Sequence, residues 1–247
     1  MPQDITTDLA ALGPFFRVHA HLPGERPELP WRTVGELGTQ PEPMRHRIAA
    51  VSRALAAEAG SQADQIEAKV AASIAHLGVV ARLVSPALAA IALGYPLMTA
   101  PPELWWQDTL GGPFPLSVPV PEHCPGDHRQ SARTACGNLL SRVIEPVTAT
   151  VAALVPLSSR VLWGNVASAV NTASLQIAAQ RPTAADAARQ AAETIFSAPQ
   201  LRTERNQPGP GFRRSSCCLY YRLAAGQGTN LCGDCVLTGH RQATAPG

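Results

Sequence analysis

Residues 215–237 read SSCCLYYRLAAGQGTNLCGDCVL: two adjacent cysteines, Cys217 and Cys218, then thirteen residues, then the Cys-x-x-Cys pair Cys232 and Cys235. How these thiols are used decides whether the chain is a helical domain alone or a helical body carrying a metal-binding lobe. The chain has 247 residues and six cysteines, and four of the six fall in this stretch. A chain of that length buries a sizeable core without covalent staples, so disulfides are not required. Four thiolates are what a tetrahedral iron or zinc site needs, and a 2Fe-2S cluster takes four as two pairs, one pair per iron. Successive side chains of an extended segment point to opposite faces. Cys217 and Cys218 therefore reach one site only if the backbone turns sharply beside them. In CGDC, Gly233 is expected to take the positive φ that curls the chain and aims N–H groups at sulfur. Structural zinc, which usually prefers spaced pairs on both sides, and a vicinal or cross-loop disulfide remain alternatives.

Outward from this stretch, NQPGPGF at 206–212 is predicted as a turn-rich linker. It divides the chain into a body, residues 1–212, and a C-terminal segment, residues 213–247. In the body, Ile48, Val51 and Leu55 lie at helical spacing before a break at Gly60. Ser61 with Asp64 makes a capping-box pattern, and Ile66, Val70, Ile74 and Leu77 form one apolar stripe ending at Gly78. Ile144, Val147, Val151 and Leu154 predict a helix that tolerates Pro146 near its start. Thr183 with Asp186, directly after Pro182, opens another running to about Phe196. Residues 95–127 are too rich in proline for helix, and 114–120 are expected to supply a short edge strand. The expected fold class is mainly α with a few short β-strands, the cysteine lobe being packed on a helical body.

Composition excludes some partners. A formal net charge of +2 with 15% charged residues gives no global field for nucleic acid or an anionic membrane. The N-terminus carries no export-type pattern, so the expected location is cytoplasmic. The most apolar window, residues 79–98, is interrupted by Arg82, Pro86, Gly94 and Pro96. It reads as a buried, Pro-kinked helix rather than an integral membrane span. In a reducing cytosol, clustered cysteines point to metal or redox use.

RRSSCCLYYRL followed by LCGDCVL resembles the C-terminal motif of the FhuF-like ferric siderophore reductases, and LWGNVASAVNT at 162–172 resembles that family's other recognisable stretch. The interval between the cysteine pairs is longer here than is usual in the family, with the surplus in AAGQGTN. Loop closure changes little with a few flexible residues. The resemblance implies that Cys217, Cys218, Cys232 and Cys235 ligate one 2Fe-2S cluster. It further implies one-electron reduction of ferric iron held by a siderophore. A modest local arginine cluster favours hydroxamate chelates of small charge, and without a nucleotide fingerprint the electrons are expected from a separate donor such as a ferredoxin or flavin reductase. The rival reading is a non-catalytic siderophore-handling or scaffold protein with a structural zinc or Fe-S site.

Arg213, Arg214 and Arg222 flank the first cysteine pair. They are candidates for tuning the cluster or for contacting substrate, because positive charge favours the more negative reduced state and attracts anionic chelates. Trp163, with Gly164 and Asn165, is expected near the start of a helix with Val166, Val170 and Ile177 on one stripe, where the body meets the lobe. His123, Cys124, His128 and Cys136 form a second candidate metal group. The plainer reading is a loop histidine pair and an ordinary buried thiol. No Ser-His-Asp set, phosphate loop or nucleotide fingerprint is present.

Overall fold

The computed structural model describes residues 5–28, 30–95, 101–119, 128–202, 207–223 and 231–237. It is mainly helical, with one small sheet. The helices are α1 (Ile5–Ala10), α2 (Val34–Thr39), α3 (Pro41–Ala59), α4 (Ala68–Ala92), α5 (His128–Asn138), α6 (Glu145–Leu154), α7 (Ser159–Gln180) and α8 (Ala185–Phe196). A π-helical stretch, Leu139–Ile144, joins α5 to α6.

α4 is the centre of the core and packs along α7, with α8, α3 and α6 around the pair. Its stripe does not end at Gly78. Breaking there would save the glycine penalty of about 1 kcal/mol. It would also expose Val79, Val80, Leu83, Val84 and Leu88, all buried, each worth about 1.5–3 kcal/mol. The helix therefore runs on through Gly78 and Pro86 to Ala92. It also starts later than the capping-box pattern predicts: Ala63–Gln65 is one 3-10 turn, and α4 begins at Ala68. By length and composition α4 could cross a membrane, but most of it is buried inside the protein. Arg82 shows how the charge within it is accommodated. The side chain is 2% exposed and donates to the carbonyls of Phe114, Phe15 and Arg17, which ties α4 to the sheet and to the N-terminal loop. Burial lowers its pKa to about 10.

The other helical expectations hold with shifted ends. α3 stops at Gly60, whose φ of 64° places it in the left-handed cap conformation. α6 carries Pro146 directly after the π-helical stretch Leu139–Ile144, where the wider turn already interrupts the regular ladder. Pro182–Ala184 is a 3-10 turn before α8, which ends at Phe196.

The four-stranded sheet has the order β1-β4-β3-β2, from His19–His21, Leu116–Pro119, Trp105–Trp106 and Arg32–Thr33. β1 runs parallel to β4 with Ala20 opposite Val118, and β3 is antiparallel to both β4 and β2. The strand predicted at 114–120 is therefore an interior strand, not an edge. Its prolines still obey the ladder rule, since Pro115 precedes it and Pro119 closes it.

Candidate metal centre

α7 is the element on which the C-terminal segment is laid. Ser158 caps it by accepting the Arg160 N–H at 3.3 Å, so the helix starts earlier than the Trp163–Asn165 stretch suggests. Asn165 is a fully buried residue within the helix. The chain beyond residue 207 runs antiparallel along α7 and is pinned at successive points. Asn171 Oδ1 accepts the Gly209 N–H at 2.7 Å, Asn165 Oδ1 accepts from Arg214 Nη2, and the Arg160 carbonyl accepts from Ser216 Oγ at 2.7 Å. Between these points Phe212 is buried and meets the Phe196 ring edge to face at 5.5 Å. The predicted linker is thus docked on the body. Further on, Tyr220 Oη donates to Glu58 at 3.0 Å and Arg222 pairs with Glu67 at 2.7 Å, which attaches the lobe to the α3–α4 junction. Leu219, Leu223, Leu231, Val236 and Leu237 are all half-buried.

The sharp turn that the adjacent cysteines require lies at Leu219, with φ of 70°. It brings the Leu219 N–H to 3.3 Å from Cys217 Sγ. Gly233, expected to supply the positive φ, does not do so. It sits exposed in a turn closed by the Cys235 N–H donating to the Cys232 carbonyl at 3.0 Å. The Leu237 N–H lies 3.4 Å from Cys235 Sγ, so each sequence pair carries one backbone N–H directed at a sulfur. The Arg214 N–H donates to the Asp234 carbonyl at 3.0 Å and clamps the two cysteine segments together.

The four thiols are gathered in this way and none is in a disulfide, which removes that alternative. Cys218 and Cys235 are buried, Cys217 and Cys232 half-buried. Cys218 Sγ and Cys232 Sγ are 3.6 Å apart. Their hydrogen bond lowers the Cys218 pKa to about 6 and drives Cys232 up, so the two share one proton. Burial raises Cys217, against the opposing pull of the Leu219 N–H and Arg214, while nearby Cys218 and Cys235 add to the rise. Metal binding would deprotonate all four. The donors fit a 2Fe-2S cluster: four reduced, soft thiols with N–H···S contacts. Among the described residues no three or more His, Cys, Asp or Glu side chains are placed to hold one metal ion.

The three arginines part company. Arg214 is 1% exposed. Arg213 and Arg222 face solvent, Arg213 donating to the Phe212 carbonyl at 2.9 Å and Arg222 held by Glu67. Trp163 is half-buried and packs against the core from the first half of α7. Cys136 is a buried thiol raised to about 11 by burial, near the Ala191 carbonyl and outside the thiol group. His123, Cys124 and the His128 side chain lie outside the described residues. Sequence reasoning does not single out Ser73, His76 and Thr148, which line up behind Asn165. Their signal is a pair of polar residues three apart, Ser73 and His76, on the buried first half of a mainly apolar helix.

Residues 214–237 match the family described as the FhuF 2Fe-2S C-terminal domain, which shows the tail's resemblance to FhuF-like siderophore reductases over that segment and identifies its cofactor as a 2Fe-2S cluster. No curated protein matches the chain.

Proposed function

We propose that the protein reduces ferric iron held in a siderophore, and that Cys217, Cys218, Cys232 and Cys235 hold the 2Fe-2S cluster that delivers the electron. The observation that carries this reading is the gathering of four reduced thiols within a segment matching a 2Fe-2S domain. When bound, the cluster supplies one electron, and hard oxygen donors hold the resulting Fe(II) much less tightly than Fe(III), so the metal can leave. The chain's residues do the rest. Leu219 and Leu237 direct N–H groups at sulfur, and the 207–216 segment holds the lobe against α7. Arg213, Arg222 and the exposed edge of Tyr221 offer a modest cationic and aromatic surface. That surface suits a hydroxamate chelate of small charge better than a highly anionic one, with Trp163 on the body side. No acid or base is required. The electron comes from a separate donor, a ferredoxin or flavin reductase, and the reaction belongs to the cytoplasm.

Serine substitution tests the ligand set. Each of Cys217→Ser, Cys218→Ser, Cys232→Ser and Cys235→Ser should lower iron and acid-labile sulfide content and bleach the visible spectrum, while Cys136→Ser leaves both at wild-type level. Loss of the spectrum on changing Cys136, or its survival in any of the four, would overturn the assignment. A colourless, zinc-loaded protein would favour the scaffold reading instead.

A further inference from the structure

Arg214 is the unexplained charge in this molecule. Its guanidinium is buried, and among the described residues no carboxylate lies within ion-pair distance of it. A buried, unpaired cation costs several kcal/mol. Nη2 donates to Asn165, but Nε and Nη1, both buried, have no hydrogen-bond partner in the protein. Its place in the chain sets it beside the thiols: it precedes Cys217 by three residues, and its own N–H is bonded at 3.0 Å to the carbonyl of Asp234, which lies between Cys232 and Cys235.

The side chain is also aimed. Arg214 takes the Asn165 carboxamide oxygen as acceptor, so the amide nitrogen must face the other way. There it donates to the Ser73 carbonyl at 3.0 Å and lies 3.3 Å from both Ser73 Oγ and His76 Nδ1. His76 Nδ1 is then the acceptor, which leaves the ring proton on Nε2, donated to Thr148 Oγ1 at 3.1 Å. Thr148 passes its own hydrogen to the Ile144 carbonyl at 2.7 Å. One arrangement of protons satisfies the whole buried chain from α6 through α4 and α7 to Arg214. Neutral His76 agrees with it, its pKa being lowered to about 3 by burial and by the Arg214 charge.

We propose that Arg214 is a positioning and potential-setting residue. Its unpaired Nε–H and Nη1–H are the fixed donors toward the thiolate-bound cluster, held in aim by the Asn165–His76–Thr148 chain. This rests on the ligand assignment made under Proposed function. A buried cation beside a group that gains one negative charge on reduction stabilises the reduced form and raises the potential. Asp234 works against it. Its side chain belongs to the residue between Cys232 and Cys235, and its Oδ2 is buried without a hydrogen-bond partner.

The opposed charges give a two-signed test by anaerobic spectroelectrochemical titration of the cluster-loaded, full-length protein. Arg214→Gln should weaken reduction at least tenfold, about 59 mV lower for a one-electron couple. Arg214→Lys should recover part of that shift, and Asp234→Asn should move the potential the opposite way. Asn165→Ala, which leaves the charge but removes its aim, should lower the potential by less than Arg214→Gln. An Arg214→Gln potential at the wild-type value, or moved in the same direction as Asp234→Asn, would overturn the proposal. Should Arg214→Gln fail to hold a cluster, Asn165→Ala and Asp234→Asn decide, and wild-type potentials in both would overturn it equally. A wild-type protein without a 2Fe-2S spectrum would instead overturn the ligand assignment, and this role with it.

Discussion

Leu219 shows what a single residue contributes to the site. A leucine held at φ of 70° costs about 1–2 kcal/mol, and that strain turns Cys217 and Cys218 toward one pocket. Leu219→Val, whose β-branch tolerates this conformation worse, should lose visible absorbance to an iron chelator several times faster than wild type. Leu219→Gly should hold its cluster as well as wild type. A valine variant as resistant as wild type would show that the turn does not need this backbone geometry. The need for a sharp turn is legible in the adjacent cysteines, but its location is not. Glycine is the default for positive φ, so the pattern favours Gly233, and nothing in a lone leucine marks it as strained. His76 adds a pH dependence. Unfolded, it takes a proton near 6.5; folded, only near 3. Across that interval the unfolded chain binds more protons, so stability falls as pH drops, by up to about 1.4 kcal/mol per unit. His21, also lowered by burial, contributes in the same sense. Urea unfolding at pH 7 and pH 5 should show a smaller loss for His76→Gln than for wild type. An equal loss would remove His76 as the cause.

At the scale of elements, α7 is a helix with two jobs. Its apolar stripe, Val166, Val170 and Ile177, is buried against the core, and periodicity is enough to read it. Asn165 and Asn171 on the same helix receive the tail, and that is not readable, because a polar residue inside an apolar pattern names no partner until the chain folds back. The same limit explains α4. Local stop signals at Gly78 and Pro86 are real but small beside the burial of the apolar residues that follow. It explains β4 too, where proline content suggests an edge while β1, far away in sequence, pairs on the open side. The docking ladder can be weakened one rung at a time. Asn171→Ala removes the acceptor for the Gly209 N–H and should cost about 1 kcal/mol, so limited proteolysis near residues 207–212 should run about fivefold faster under native conditions. Unchanged cleavage would mean that the Phe212–Phe196 contact alone holds the segment down.

For the whole molecule, helical body and cysteine lobe form one packed unit. The lobe is strapped to α7 on one side and to the α3–α4 junction on the other. The helical class and the four thiols are legible in the amino-acid pattern alone. The separation of the arginines is not, since burial of Arg214 and exposure of Arg213 and Arg222 depend on which way the segment faces α7. Docking of the chelate should draw on the exposed arginines, while the buried one acts through the cluster's potential. The most direct measurement is anaerobic mixing of dithionite-reduced protein with a ferric hydroxamate chelate, following return of the oxidised cluster spectrum together with ferrous iron captured by a chromogenic chelator. The account predicts one Fe(II) released for each cluster reoxidised. It also predicts that Arg222→Ala slows this reaction while a small inorganic acceptor reoxidises the variant at the wild-type rate. A reduced cluster that the inorganic acceptor reoxidises but the ferric chelate leaves untouched, with no ferrous iron released, would contradict it.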